Sequence, residues 1–311
     1  MRLDSESANS ELANSELARV VGSDSESANR EKMSKARNGD QTQAAIAALI
    51  AARREGGLRR SLHDMVTVAR RNILIDIRNP AELLVSTAFT ISLMLVFTAS
   101  FAKVVSPDEG YGTYAQFLLP FTLIQGLIFN TVNIGVTFYE DLSSGRDTRM
   151  RSMPISRLSA VGGRLLSSGV RILFQILGIV LAGHFIGFRF QGTLVSSVGF
   201  FLLPTLFTLA IALIALYVAI GAKSSEAVSA VLNPWILPLT FMSIGYVPKA
   251  GFPAWAQGFV THNPISIVSQ AMRSLANGEP AGQYVVITLL WSALLISIFG
   301  SLTLKAYKRR I

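Results

Sequence analysis

The stretch Tyr111–Tyr139, YGTYAQFLLPFTLIQGLIFNTVNIGVTFY, runs between Glu109 and Glu140 without one charged residue. A helix needs about 20 such residues to cross roughly 30 Å of hydrocarbon, so this run can span a bilayer. Its neighbours repeat the pattern. Leu83–Ala102 is uncharged and bounded by Lys103, and Pro280–Leu304 is a third clean run. Soluble domains carry about 25% charged residues, whereas of the 311 residues here 15% are charged and 50% hydrophobic. Much of the exterior must therefore face lipid.

Three further runs need argument. Ile172–Phe188 reaches span length only when Leu165–Val170 extends it back past Arg171. Phe190–Ala222 is uncharged throughout, too long for one crossing and too short for two with a turn, so its later part is read as the span. Ala227–Pro248 contains Pro234 and Pro238, which calls for a kinked helix facing protein or a cavity. The expectation is an all-α, polytopic membrane protein with six transmembrane helices, at about 83–102, 115–139, 165–188, 199–222, 227–248 and 281–304. Gly251–Met272 is uncharged but carries Pro253, Gln257, His262, Asn263, Pro264 and Gln270, too polar and too broken to face lipid. It is read as a pair of short re-entrant or interfacial helices before the last span, with Trp255 as an interface anchor.

The amino-terminal segment is a different material. Residues 1–40 are polar, and the hexapeptide DSESAN occurs at Asp4–Asn9 and again at Asp24–Asn29, a repeat read as low-complexity sequence. Such a segment has little to bury, so 1–60 is expected to be a disordered or partly helical cytoplasmic extension. No apolar region follows its early charges in the manner of a signal peptide. Residues 61–311 are taken as the membrane domain. In Ser61–Asn79, Leu62, Met65, Val66, Ala69, Ile73 and Ile77 share one helical face, while His63, Thr67, Arg71 and Arg78 lie on the other. Asp76 interrupts the apolar stripe. A core-facing helix would show the same stripe, but the basic flanks and the span that follows Pro80 favour an amphipathic helix lying in the membrane interface.

Charge sets the orientation. The net charge is +9, from 28 Lys+Arg against 19 Asp+Glu. With the amino terminus inside, 18 of the Lys/Arg from Ala51 onward fall on the cytoplasmic side, and Lys103, Arg189, Lys249 and Arg273 outside. That obeys the positive-inside rule and puts both termini in the cytoplasm. The basic residues are spread over separate loops without interleaved aromatics, so nucleic acid is not the expected partner.

Equally informative is the chemistry that is missing. Carriers driven by protons or sodium place carboxylates within their spans, but Glu82, Glu140, Glu226 and Glu279 all sit at span ends. The sequence holds no GxxxxGK[ST], HExxH or GxSxG, and the absence of cysteine excludes thiolate metal sites and thiol catalysis within this chain. A lipid-modifying enzyme would need an acid/His cluster. The neighbours His63 and Asp64 diverge by about 100° on a helix and do not make one. The chain is not expected to be an enzyme; it is either a passive channel or scaffold, or it is driven by a partner. The loop Glu140–Arg164, EDLSSGRDTRMRSMPISRLSAVGGR, suits a short transverse helix stopped by a proline. Met150 and Met153 would be its apolar knobs and Arg149 and Arg151 its charged rim against a soluble partner. An ordinary positive-inside loop is the other reading.

The segments MRSMPIS (150–156), IGFRFQG (186–192), FMSIGYVP (241–248) and NPISIVSQAMRSLANG (263–278), in this order along six spans, resemble the type-2 ATP-binding cassette (ABC) exporter permeases. The likeness is greatest to the daunorubicin/doxorubicin-resistance type of actinobacteria. It runs from about Ser61 to the end. It implies that Ser61–Asn79 is a connecting helix, with Leu62, Met65, Val66, Arg70, Ile73 and Ile77 in that role. It assigns Glu140, Gly145, Arg149, Met153 and Pro154 to the coupling region that meets an ABC ATPase subunit, and Asn263, Pro264 and Arg273 to an extracellular re-entrant gate. The family loop commonly reads ERE-x-GT; this chain has Glu140-Asp141 and Gly145-Arg146 and lacks the Thr. The implied assembly sits in a bacterial plasma membrane. It pairs two permeases, identical or homologous, with ATPases that carry the ATP and Mg, so this chain binds no cofactor itself. The cargo would be lipophilic: an amphiphilic drug, a glycolipid or a long-chain lipid entering from the inner leaflet.

Overall fold

The computed structural model describes residues 57–78, 80–105, 111–144 and 157–309, and Arg60–Ile311 form one compact unit. Among the described residues every regular element is helical. In chain order they are α1 (Gly57–Arg78), α2 (Ala81–Val105), α3 (Tyr111–Ser143), α4 (Arg157–Ile186), α5 (Leu194–Gly221), α6 (Ser225–Phe241), a 3₁₀ turn (Lys249–Gly251), α7 (Ala254–His262), α8 (Pro264–Asn277) and α9 (Gly282–Arg309).

Five of these, α2, α3, α4, α5 and α9, are long and apolar enough to cross a membrane. They are unequal in burial. In its most apolar window α3 is 83% buried, against 17% for α2 and 11% for α9. Thus α3 is the axis of the bundle, in contact with α2, α4, α5, α6 and α8. Leu118, Phe121, Leu123, Ile124 and Leu127 supply its apolar core. The outer helices keep large apolar side chains exposed, among them Leu84, Val85 and Phe89 on α2 and Val286, Leu290 and Leu294 on α9. In lipid these need no protein cover, because the surrounding tails are as apolar as they are.

The expected boundaries shift in ways that have local causes. The span placed at 199–222 begins at Leu194, because Thr193 caps the helix by accepting from the Ser196 amide. At 28 residues α5 is about 42 Å long. The span placed at 165–188 is found at Val161–Ile186, within a helix that starts at Arg157 and ends where Gly187 takes φ 120°. The largest correction concerns 227–248. Helix α6 runs through both Pro234 and Pro238 but stops at Phe241 after 17 residues, about 25 Å. Residues 242–248 continue as a non-helical segment. The stretch expected to hold two short helices does so, as α7 and α8, with Asn263 as the break between them and α8 reaching five residues past Met272.

Candidate functional site

Three of the four sequence segments singled out above converge on one end of the bundle, where α3 starts, α4 and α6 end and α5 and α9 start. At their centre lies the non-helical segment that follows α6. Backbone that leaves a helix without joining a strand still needs hydrogen-bond partners when buried, and here side chains from α8 and α3 supply them. Asn263 Nδ2 donates to the carbonyls of Leu239 (2.7 Å) and Met242 (2.8 Å), while its Oδ1 accepts from the Ile265 amide and so starts α8. Ser266 Oγ accepts from the Ile244 amide at 3.0 Å. Arg273 donates through Nη1 to Ile244 O and through Nη2 to Gly245 O, and its Nε reaches back to Phe117 O on α3 at 2.8 Å. The guanidinium also lies 3.6 Å from the centre of the Phe117 ring. Carbonyl dipoles and a ring face thus hold this cation, which is 8% exposed.

The central helix holds the same segment from the other side. Tyr246 donates its hydroxyl to Gln125 Oε1 at 2.6 Å, and Tyr114 donates its own to Tyr246 O at 3.2 Å. Gly245 sits against the Phe121 ring so tightly that a Cβ there would come within 2.1 Å of it. The IGFRFQG turn joins in. Gln116 on α3 donates to Arg189 O and to Asn277 Oδ1, and Gln191 N donates to Ala276 O. Gly187 lies so close to Gly112 that a Cβ on Gly187 would stand 2.9 Å from the Gly112 Cα. Of the expected gate residues, Asn263 and Arg273 meet on one loop, and Pro264 is the first residue of α8, where its missing N–H costs nothing. Ser266 and Tyr246, which lie inside two of the quoted segments without having been singled out, and Gln125, which lies in none, belong to the same arrangement.

At the opposite end, α1 lies across the start of α4. A Cβ on Gly162 would come within 2.8 Å of the Met65 side chain, and one on Gly163 within 2.7 Å of Val68. Two adjacent glycines therefore permit the crossing. The apolar stripe of α1 divides: Met65, Ala69 and Ile73 turn towards the protein, whereas Leu62 (58% exposed), Val66 and Ile77 remain outside, with Arg70 beside them. Asp76, the apparent blemish, lies 3.5 Å from Arg171 on α4. The expected coupling residues Gly145, Arg149, Met150, Arg151, Met153 and Pro154 lie outside the described residues. Glu140 is exposed at the end of α3, and its neighbour Asp141 pairs with Arg164 at 3.1 Å.

The helices also bound two largely apolar hollows, the larger an open groove that begins at the first turn of α5. One of about 380 Å³ is bounded by Phe207, Val231, Trp235, Pro264 and Trp291, and another of about 610 Å³ by Leu202, Leu206, Leu275 and Leu289. Both are of the size of small-molecule sites and offer hydrocarbon rather than hydrogen bonds.

The fold and these sites define a multi-pass helical membrane protein with one end closed by a side-chain-stitched loop. Residues 63–276 match the ABC-2 type transporter model, and the chain belongs to that family. It is 28% identical over 231 residues to the daunorubicin resistance ABC transporter permease protein DrrB1 of Streptomyces coeruleorubidus, covering 74% of this chain and 81% of that one. It is also 28% identical over 205 residues, 66% of this chain and 72% of the other, to the probable doxorubicin resistance ABC transporter permease protein DrrC of Mycobacterium tuberculosis. To the doxorubicin resistance permease DrrB of that organism it is 29% identical over 161 residues, 52% and 56% of the two chains.

Proposed function

We propose that this chain is the membrane-spanning subunit of an ATP-driven exporter that moves lipophilic drugs or lipids from the inner leaflet or cytoplasm to the outside. The observation that carries the reading is the match from residue 63 to residue 276, which runs from α1 through the stitched loop to α8. The apolar cavities and the names of the relatives support a lipophilic cargo. In this reading α6, prolonged by the loop after it, completes six spans. Helix α1 is an interfacial connecting helix with its Leu62, Val66 and Ile77 edge in lipid. Helices α7 and α8 form a re-entrant external gate, and both termini are cytoplasmic.

An ABC ATPase subunit docks on the loop after α3 and carries the ATP and Mg, and a second permease, identical or homologous, completes the pathway. ATP binding drives transport only by favouring one permease conformation over another. Substituting Pro154→Leu, or Arg149→Glu together with Arg151→Glu, should abolish substrate-stimulated ATP hydrolysis by the reconstituted complex while leaving membrane insertion intact. Full stimulation in both variants would remove the loop from the coupling path. The alternative, a passive channel or scaffold, calls for a chain that purifies without any ATPase.

A further inference from the structure

Helix α4 carries an unexpected polar stripe. Arg164, Ser168, Arg171 and Gln175 fall within about 60° of one another on a helix whose remaining surface is largely apolar. The side chains of Arg164 and Arg171 are only 13% and 12% exposed. A buried guanidinium is costly unless it is paired. Arg164 has Asp141 on α3. Arg171 divides its two terminal nitrogens between two helices: Nη1 lies 3.5 Å from Asp76 Oδ1 near the end of α1, and Nη2 lies 3.2 Å from Glu82 Oε1 at the start of α2.

Those carboxylates stand on either side of Pro80. Proline donates no amide to the backbone ladder, so helical hydrogen bonding is interrupted between α1 and α2. We propose that Arg171 is a positioning residue that sets this angle, its planar fork holding both carboxylates at a fixed separation. The rest of α1 is tied to the same helix, at Gly162 and Gly163 through Met65 and Val68 and at Ser167, whose hydroxyl accepts from Asn72 Nδ2 at 3.5 Å. From Gly162 to Arg171 this seam is about 14 Å long. A displacement of α1 therefore passes into α2 and α4 instead of being absorbed at Pro80. That this displacement comes from an ATPase rests on the export reading above; the lock itself does not.

The sequence has no cysteine, so paired spin labels report only where they are placed. Labels at Val66 on α1 and Val85 on α2, both exposed, in the full chain in lipid nanodiscs, should give one narrow distance distribution. It should broaden in Arg171→Gln, stay intermediate in Arg171→Lys, whose single ammonium cannot bridge both carboxylates, and broaden in Glu82→Gln, where the altered side chain is 45% exposed and folding is not at risk. In the complex with its ATPase, Arg171→Gln and Glu82→Gln should cut substrate stimulation of hydrolysis about fivefold or more, with basal hydrolysis and subunit association unchanged. Unaltered distances in both variants overturn the lock, and full stimulation despite broadened distances overturns its part in passing on the movement of α1. If the wild-type complex shows no stimulation at all, the export reading fails, and the distances alone decide the lock.

Discussion

The guanidinium of Arg273 lies 3.6 Å from the centre of the Phe117 ring and donates to the Phe117 carbonyl at 2.8 Å, so one residue of the central helix holds this cation by both its side chain and its backbone. Two more carbonyls, of Ile244 and Gly245, complete the arrangement. Arg273→Leu would leave three buried carbonyls without this donor. We expect a loss of about 3 kcal/mol or more, since bonds to charged groups contribute about 1.5–3 kcal/mol each. Arg273→Lys, which keeps the charge but not the fork, should fall between. Thermal unfolding in detergent, followed by helix signal, reads the order.

Gly245 packs where no side chain fits. Gly245→Ala would drive a methyl into the Phe121 ring, and overpacking of this kind costs about 1–3 kcal/mol. Adding Phe121→Leu should recover much of the loss. A double variant no more stable than Gly245→Ala alone would mean that the Phe121 ring is not what excludes a side chain there.

Asn130 on α3 donates to Gln175 Oε1 on α4 at 3.2 Å, and both side chains are buried. Each single change to Leu strands the other amide and should destabilise by about 1–3 kcal/mol, whereas the double change to Leu should be close to neutral. With those values the thermal-unfolding cycle should return a coupling energy of about 2–6 kcal/mol between the two amides.

Burial raises the Asp76 carboxyl above its ordinary value of 3.8; Arg171 and then Arg164 pull it back, and Glu82 pushes it up again. A folded value above the unfolded one means that folding favours the neutral acid. The group's stabilising contribution is complete below the unfolded value and is lost as pH rises through the folded one. The stability of Asp76→Asn relative to wild type should therefore improve as pH climbs from below 3.8 towards neutrality. Midpoints measured across that window would refute this if the difference stayed constant.

Much of the site was half visible. Of the polar residues that broke 251–272, Asn263 is the one that holds the loop, and it meets Arg273 there. The loop's other partners were invisible because they lie far off in sequence: Tyr246 and Gln125 are 121 positions apart. Arg171 entered the sequence reading only as the charge past which the third span had to be extended. The seven-residue spacing from Arg164, with Ser168 and Gln175 on the same face, was a legible sign that α4 turns a polar stripe inward. The early end of α6 was not legible, since 242–248 carries no charged residue to mark it.

The sequence by itself determined the class of protein. Freedom from charge over a run of fixed length is a property of the segment alone, and a bilayer of set thickness reads it directly. Family likeness came from the same one-dimensional order. Only the tertiary structure decided that α3 is the axis, that the segment after α6 is a stitched loop and that Arg171 joins two helices across Pro80. A buried polar group is satisfied by whatever the fold brings beside it, and that partner comes from a distant helix whose face the local pattern does not specify.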